Sequence, residues 1–206
     1  MATKATAIGP VSNDAKTDIE LSIPYMIEAE IEGTAPILFH RWSCEAVEEK
    51  AKAKKGSSSK KTDNIESYVY RDGKGFIAIP SEYFRQSIIH AAKFKQDPRS
   101  PRKSAMDLFK AGIATIGELC SLGVKEPDYL DQRRVVIQRN GITRVRPAMA
   151  TGWKCKVSLQ VLLPEYIDHQ MLNDTLSYAG KIVGVGDFRP SFGRFQITSF
   201  NVVELK

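Results

Sequence analysis

An α+β fold, an antiparallel sheet backed by two helices, is predicted for this 206-residue chain by three observations. Four segments, 24–32, 133–138, 153–163 and 195–204, alternate apolar and polar residues with the period of a strand. Two others, Ser81 to about Lys95 and about 168–181, carry helical spacing instead. With two insertions set aside (about 41–79 and 97–131), the order is βαββαβ, the ferredoxin-like pattern.

Each element has its own signal. Residues 1–20 mix small and polar residues without period and read as a flexible tail, leaving 21–206 as one domain. In the first strand Tyr25, Ile27, Ala29 and Ile31 alternate with Met26, Glu28, Glu30 and Glu32, and Gly33 ends it. An apolar segment follows, Pro36 to Trp42, with the basic, aromatic tip His40-Arg41-Trp42. Residues 50–63 (KAKAKKGSSSKKTD) form a long basic loop of Gly/Ser-rich low complexity. A hairpin is expected over Tyr68–Tyr70 and Phe76–Ile79, turning at Asp72-Gly73-Lys74-Gly75. Pro80 stops the strand and Ser81 is the expected N-cap of the first helix, whose apolar side is Phe84, Ile88, Ala91 and Ala92. Asp97–Lys103 is expected as a Pro-broken basic loop, and Met106–Ala111 as a short helical turn. Arg133–Gln138 and Ile142–Arg146 flank Asn140-Gly141, a strong hairpin signal. Trp153 to Leu163 is the cleanest strand, with Trp153, Cys155, Val157, Leu159 and Val161 on one side.

Composition narrows the function classes. No apolar run approaches the roughly 18 residues of a membrane span, and the polar N-terminus lacks the apolar core of a signal peptide, so a cytoplasmic protein is expected. Three widely spaced cysteines, Cys44, Cys120 and Cys155, suit neither a disulfide framework nor a zinc site, and Cys155 reads as core. Net charge is +6, and residues 41–110 hold 16 Lys and Arg against 9 Asp and Glu. A second concentration has no acid at all: Arg133, Arg134, Arg139, Arg144, Arg146, Lys154 and Lys156. Segregated positive charge is the electrostatic footprint of a nucleic-acid binder. The bland alternative is a solvated surface balanced by acids such as Glu28, Glu30 and Glu32.

The run Gly184-Val185-Gly186-Asp187-Phe188-Arg189-Pro190-Ser191-Phe192-Gly193-Arg194-Phe195 lies between the second helix and the last strand. Its glycines permit positive φ and close approach, its arginines fix charge, and its aromatics can stack on bases. A loop against a nucleic-acid backbone is one reading; a structural turn with core phenylalanines is the other. It is not a dinucleotide fingerprint, since Arg189 replaces the third glycine and the order is helix, loop, strand; no Walker loop is present either. No cofactor and no metal are expected.

The binding candidates are Arg41, Lys52, Lys54, Lys55, Lys60, Lys61, Arg85, Arg139, Arg144, Arg146, Arg189 and Arg194, with Gly184 and Gly186 keeping side chains clear of a ligand. Arg85 stands one turn into a helix whose N-terminus favours phosphate. Trp42, Tyr70 and Phe188, and beside them Tyr68, are the stacking candidates. For catalysis, no hydrolase elbow or metal-type His pair appears. His40 is the best general base on offer, against a backbone-contacting or half-buried histidine as the alternative. His90 and His169 read as helix-surface residues, and Asp63 and Asp72 as loop or turn residues.

Three segments carry a family resemblance: Ile79-Pro80-Ser81 with Phe84-Arg85, Arg144-Val145-Arg146-Pro147 after a hairpin, and the Gly184–Arg194 loop. They resemble the repeat-associated mysterious proteins (RAMPs) of CRISPR effector complexes, most of all the backbone subunit that polymerises along the guide RNA. The pattern also looks like a group of bacteriophage proteins with Pro-Ser-x-x-Phe-Arg and Gly-Asp-Phe-Arg-Pro signatures. The likeness spans roughly residues 24–204. It implies an RNA-recognition-motif-like (RRM-like) ferredoxin core and a non-catalytic protein binding single-stranded RNA or DNA, RNA favoured. It also implies head-to-tail self-association, other effector-complex subunits as partners, and a bacterial or phage-encoded source. The alternatives it carries are a metal-independent endoribonuclease using His40, and a phage protein that mimics or binds effector subunits.

Overall fold

The computed structural model describes residues 23–41, 65–137 and 140–204. Its main sheet has four antiparallel strands, β1 (Tyr25–Gly33), β7 (Ile113–Ile116), β11 (Lys154–Val161) and β12 (Phe195–Glu204), in the order β12-β1-β11-β7. That is the ferredoxin-like arrangement, with the first strand central and the last at an edge. The alternation read in β1 and β11 is realised: Tyr25, Ile27, Ala29, Ile31, Cys155, Val157, Leu159 and Val161 are all buried. Register places Ile27 between Leu159 and Val202. Helices α1 (Ser81–Ala92) and α3 (His169–Ile182) cover this apolar face, and Phe84 of α1 meets Phe195 of β12 with ring centroids 5.5 Å apart. α3 opens on Asp168, whose carboxylate accepts a 2.7 Å hydrogen bond from the Met171 amide.

One strand differs from expectation. The second core position is filled by β7, and the 133–138 segment lies in a separate sheet, β2-β10-β9. There β9 (Tyr129–Ile137) and β10 (Asn140–Met149) form a long hairpin that joins β2 (Ile37–Leu38) through Leu38–Ala148 and Ile37–Met149. The chemistry explains the exchange. Asp131, Gln132, Arg133 and Arg134 put polar groups on both faces of β9, which could not face two apolar helices, whereas Ile113 is 2% exposed. β7 is four residues long and follows α2 (Met106–Gly112) directly, too short to show a period. Asn140 pairs with Ile137, so Asn140-Gly141 begins β10 instead of forming the turn.

The hairpin at 70–80 is present as β3 (Tyr70–Arg71) and β4 (Ile77–Pro80), while Tyr68 ends a 3₁₀ turn, Ile65–Tyr68. Gly75 takes φ +81° in its loop, and the Asp72 carboxylate accepts the Lys74 and Phe76 amides at 2.9 Å each. β4 pairs on its other side with β8 (Leu119–Ser121). Ser81 is not the cap of α1. Pro80 holds that position, and Ser81 is buried with its hydroxyl 3.3 Å from Cys120 Sγ, because β4 runs straight into the helix beneath β8. α1 stops at Ala92, after which the Lys93, Phe94 and Lys95 amides tighten onto the carbonyls of His90, Ala91 and Ala92. The basic 97–103 stretch is not a plain loop but the small hairpin β5 (Gln96–Asp97) and β6 (Ser100–Ser104), pinned by Arg99 on Asp97 at 2.7 Å. That guanidinium brings the Asp97 carboxyl down to about 2.

Candidate nucleic-acid interface

The Gly184–Arg194 loop is stitched onto the segment leaving β1. The Val185 amide donates to the Gly193 carbonyl at 2.9 Å, closing the loop, and the Asp187 and Gly193 amides donate to Leu38 and Pro36 at 3.0 and 2.7 Å. The Thr34 and Ala35 amides donate to the Arg194 carbonyl. Two glycines are required by this closeness. At Gly193 (φ +69°) a Cβ would fall 1.6 Å from the Val185 carbonyl oxygen, and at Gly186 (φ +79°) 2.8 Å from that of Leu38. The glycines therefore make room for the protein's own backbone, and a Val at Gly186 could not leave the fold untouched. Val185 and Phe195 are core and Phe192 is half-buried, while Phe188, Arg189, Pro190, Ser191 and Arg194 face outward, so of the three phenylalanines only Phe195 fits a turn with all of them in the core.

That outer side leans on the β9–β10 hairpin. Arg146, 7% exposed, puts Nε 2.5 Å from Asp187 Oδ2, at an angle that makes an ion pair but no hydrogen bond. Its guanidinium also lies over the Phe188 ring at 5.1 Å, and Arg133, chelated by Asp131, lies over Phe192 at 4.3 Å. Phe188 is thus already stacked on arginine, though 37% exposed. On the open face of the main sheet Lys156 pairs with Glu28 at 3.1 Å and Lys154 with Glu32 at 3.5 Å. Among the described residues of this face, which include Met26, Glu28, Glu30, Ser158 and Gln160, none is aromatic.

Arginines outside any ion pair among the described residues lie elsewhere, around a cleft of about 310 Å³ between α1, the β2 segment and the loop. Tyr83, Gln86 and His90 recur at i, i+3 and i+7, so one stripe of α1 forms a wall. Opposite stand His40, Tyr70, Asp187 and Arg189. The Tyr70 and Tyr83 rings meet edge to face at 6.1 Å and 88°, with their hydroxyls 3.4 Å apart. Burial, then the Tyr70 hydroxyl, pushes the Tyr83 phenol up; Arg189 pulls it the other way. Arg41 lies over the Tyr70 ring at 5.3 Å, and His40 is tilted against Tyr68 at 5.1 Å. A second hollow of about 470 Å³ continues past His90 to Phe188 and Pro190. Among the described residues no carboxylate pairs with Arg41, Arg189, Arg194, Arg134 or Arg144.

Several candidates take structural places. Arg85 is a clamp: it donates to Glu82 at 2.8 Å and to the Ile113 and Lys110 carbonyls at 2.7 and 2.6 Å, tying α1 to α2 and β7. Three of the five N–H donors of this guanidinium are spent inside the fold, which gives Arg85 a structural role. Asp72 is spent on its turn, and His169 is edge-on to Tyr25 at 4.3 Å. Arg144 sits opposite Arg133 in the hairpin and has no ion pair among the described residues. Trp42, Lys52, Lys54, Lys55, Lys60, Lys61, Asp63 and Arg139 lie outside the described residues. Sequence reasoning missed Tyr83, Gln86 and Asp187 and left His90 as ordinary surface; the i, i+3, i+7 stripe beside the apolar face of α1 was the signal available.

No family model and no curated protein matches the chain. Among solved structures it is similar to a chain of the cryo-EM structure of type III-B Cmr-beta bound to cognate target RNA, with a TM-score of 0.54 and 8% identity. The match covers 88% of this chain and 61% of that one, so the chain spans less than two thirds of the length of the protein it resembles. Among the described residues no helix is long and apolar enough to cross a membrane. The fold is like that of a chain in a CRISPR effector complex.

Proposed function

We propose that this protein is a non-catalytic, RAMP-like subunit that binds single-stranded nucleic acid, RNA in preference to DNA, and assembles head-to-tail along it. One observation carries the reading: Arg41 and Arg189, neither paired with an acid among the described residues, flank a cleft walled by tyrosine and histidine. Cationic rims around aromatic walls are what unpaired strands bind, phosphates to the charge and bases to the rings. The likeness to a chain in an RNA-bound complex supports the choice of RNA. One copy covers few nucleotides, so neighbours that add their own contacts raise affinity together. A bacterial or phage source, and effector subunits as partners, belong to the same proposal.

Titration of matched RNA and DNA 24-mers across salt concentrations tests it. RNA is expected to bind tighter, with a log–log slope of about −0.7 per phosphate contact and copies loading in proportion to strand length. Replacing Lys52, Lys54, Lys55, Lys60 and Lys61 together by Ala is expected to weaken binding and flatten the slope. Absence of salt-dependent binding to either strand rejects the reading. A second reading, endoribonuclease, draws on the presence of His40 beside His90 and Tyr83 in one cleft. Metal-independent cutting of a hairpin RNA, abolished in His40→Ala, would select it.

A further inference from the structure

The Asp187 carboxylate lines the cleft with one oxygen held by Arg146 and the other without a donor among the described residues. Its Oδ2 is buried 2.5 Å from Arg146 Nε without a hydrogen bond, and among the described residues no donor reaches the other oxygen. Gln86, on the facing helix, donates one amide N–H to Glu82 Oε1 at 2.6 Å, and its carbonyl oxygen takes no donor among the described residues, so it can accept from a ligand in the cleft that it lines. Two acceptors therefore stand in a space of about 310 Å³, beside the corner made by Tyr70 and Tyr83.

Resting on the RNA-binding reading, we propose that this cleft is a pocket for one guanine base turned out of the bound strand. Guanine alone among the four bases presents two adjacent donors, N1–H and N2–H₂, on its pairing edge. Cytosine and adenine set one donor beside an acceptor, and uracil puts carbonyls on both sides of its single N–H, where they would face the carboxylate. Unstacked bases are held by aromatic faces and read on that edge. Asp187 and Gln86 take the two donors, a tyrosine ring takes the face, and Arg189 at the mouth takes the adjoining phosphate.

The experiment is anisotropy with 12-mer RNAs, oligo(U) carrying one central guanosine, inosine or adenosine. Inosine keeps N1–H and lacks the N2 amino group. The guanosine strand is expected to bind about tenfold tighter than the other two, the size of one well-made base contact. Gln86→Leu is expected to collapse that ratio to about one with an unchanged melting temperature; Asp187→Asn should do the same but soften the fold through Arg146. Three strands bound within about twofold of each other, or discrimination surviving in Gln86→Leu, overturn the guanine pocket and leave RNA binding standing. No binding of any strand overturns both.

Discussion

The open face of the main sheet and the cleft beside α1 both carry basic side chains, yet they are opposite surfaces. On the sheet each described lysine is matched by an acid of β1: Lys154 by its register partner Glu32, and Lys156 by Glu28, diagonal to its register partner Glu30. At the cleft Arg41 and Arg189 have aromatic company and, among the described residues, no ion pair, since Asp187 on the same wall is held by Arg146. Counting charges along the chain ranks the 133–156 stretch high, but four of its seven basic residues are neutralised: Arg133 by Asp131, Arg146 by Asp187, and the two lysines by β1. What makes an interface is charge left over after folding, because a paired cation has little field to offer a phosphate.

The largest effect should come from the loop that forms one wall. Gly186→Val is expected to lose about 2–5 kcal/mol of stability, from left-handed backbone strain plus overpacking against Leu38, measured by urea unfolding. A variant of unchanged stability would return the glycines to the ligand and erase their structural role. Next is the direct contrast. Arg41→Ala with Arg189→Ala should weaken RNA binding at least about tenfold and reduce the salt slope by about 1.4, two contacts' worth, whereas Lys154→Ala with Lys156→Ala should leave both near wild type. The reverse outcome moves the interface to the sheet.

Arg85→Ala should lose about 1.5–3 kcal/mol, the range for hydrogen bonds from a charged donor, with binding per folded molecule retained. Weaker binding at full stability would restore Arg85 to the phosphate path. A milder test concerns another neutralised cation, Arg99. Asp97 is held at about 2 against an ordinary 3.8, so its pair with Arg99 stabilises the fold above about pH 4 and is lost as pH falls toward 2. Acid titration of Asp97→Asn should show a shallower loss over that window, and an unchanged curve would deny the pair. Smallest of all, Lys156→Ala should change stability by under about 0.5 kcal/mol, as exposed ion pairs do.

The apolar periods were enough for three of the four core strands and both long helices, since Tyr25–Gly33, Lys154–Val161 and Phe195–Glu204 announce one buried face each and the helices show their stripes. The sequence also marked Gly184–Arg194 as a special loop and Arg189 as a binding candidate. Three things waited for the tertiary structure. Which short segment completes the sheet depended on what α2 delivers beside β11, and a four-residue strand such as Ile113–Ile116 has no period to read. Whether the loop's glycines serve a ligand or the fold depended on the Leu38 and Val185 carbonyls that pack against them. The cleft itself joins Tyr83 and Gln86 of α1 to Tyr70 of a hairpin and to Asp187 and Arg189 more than a hundred residues away. Local patterning encodes which face of an element is buried; the pairing of charges and the meeting of distant side chains are set only when those faces close on one another.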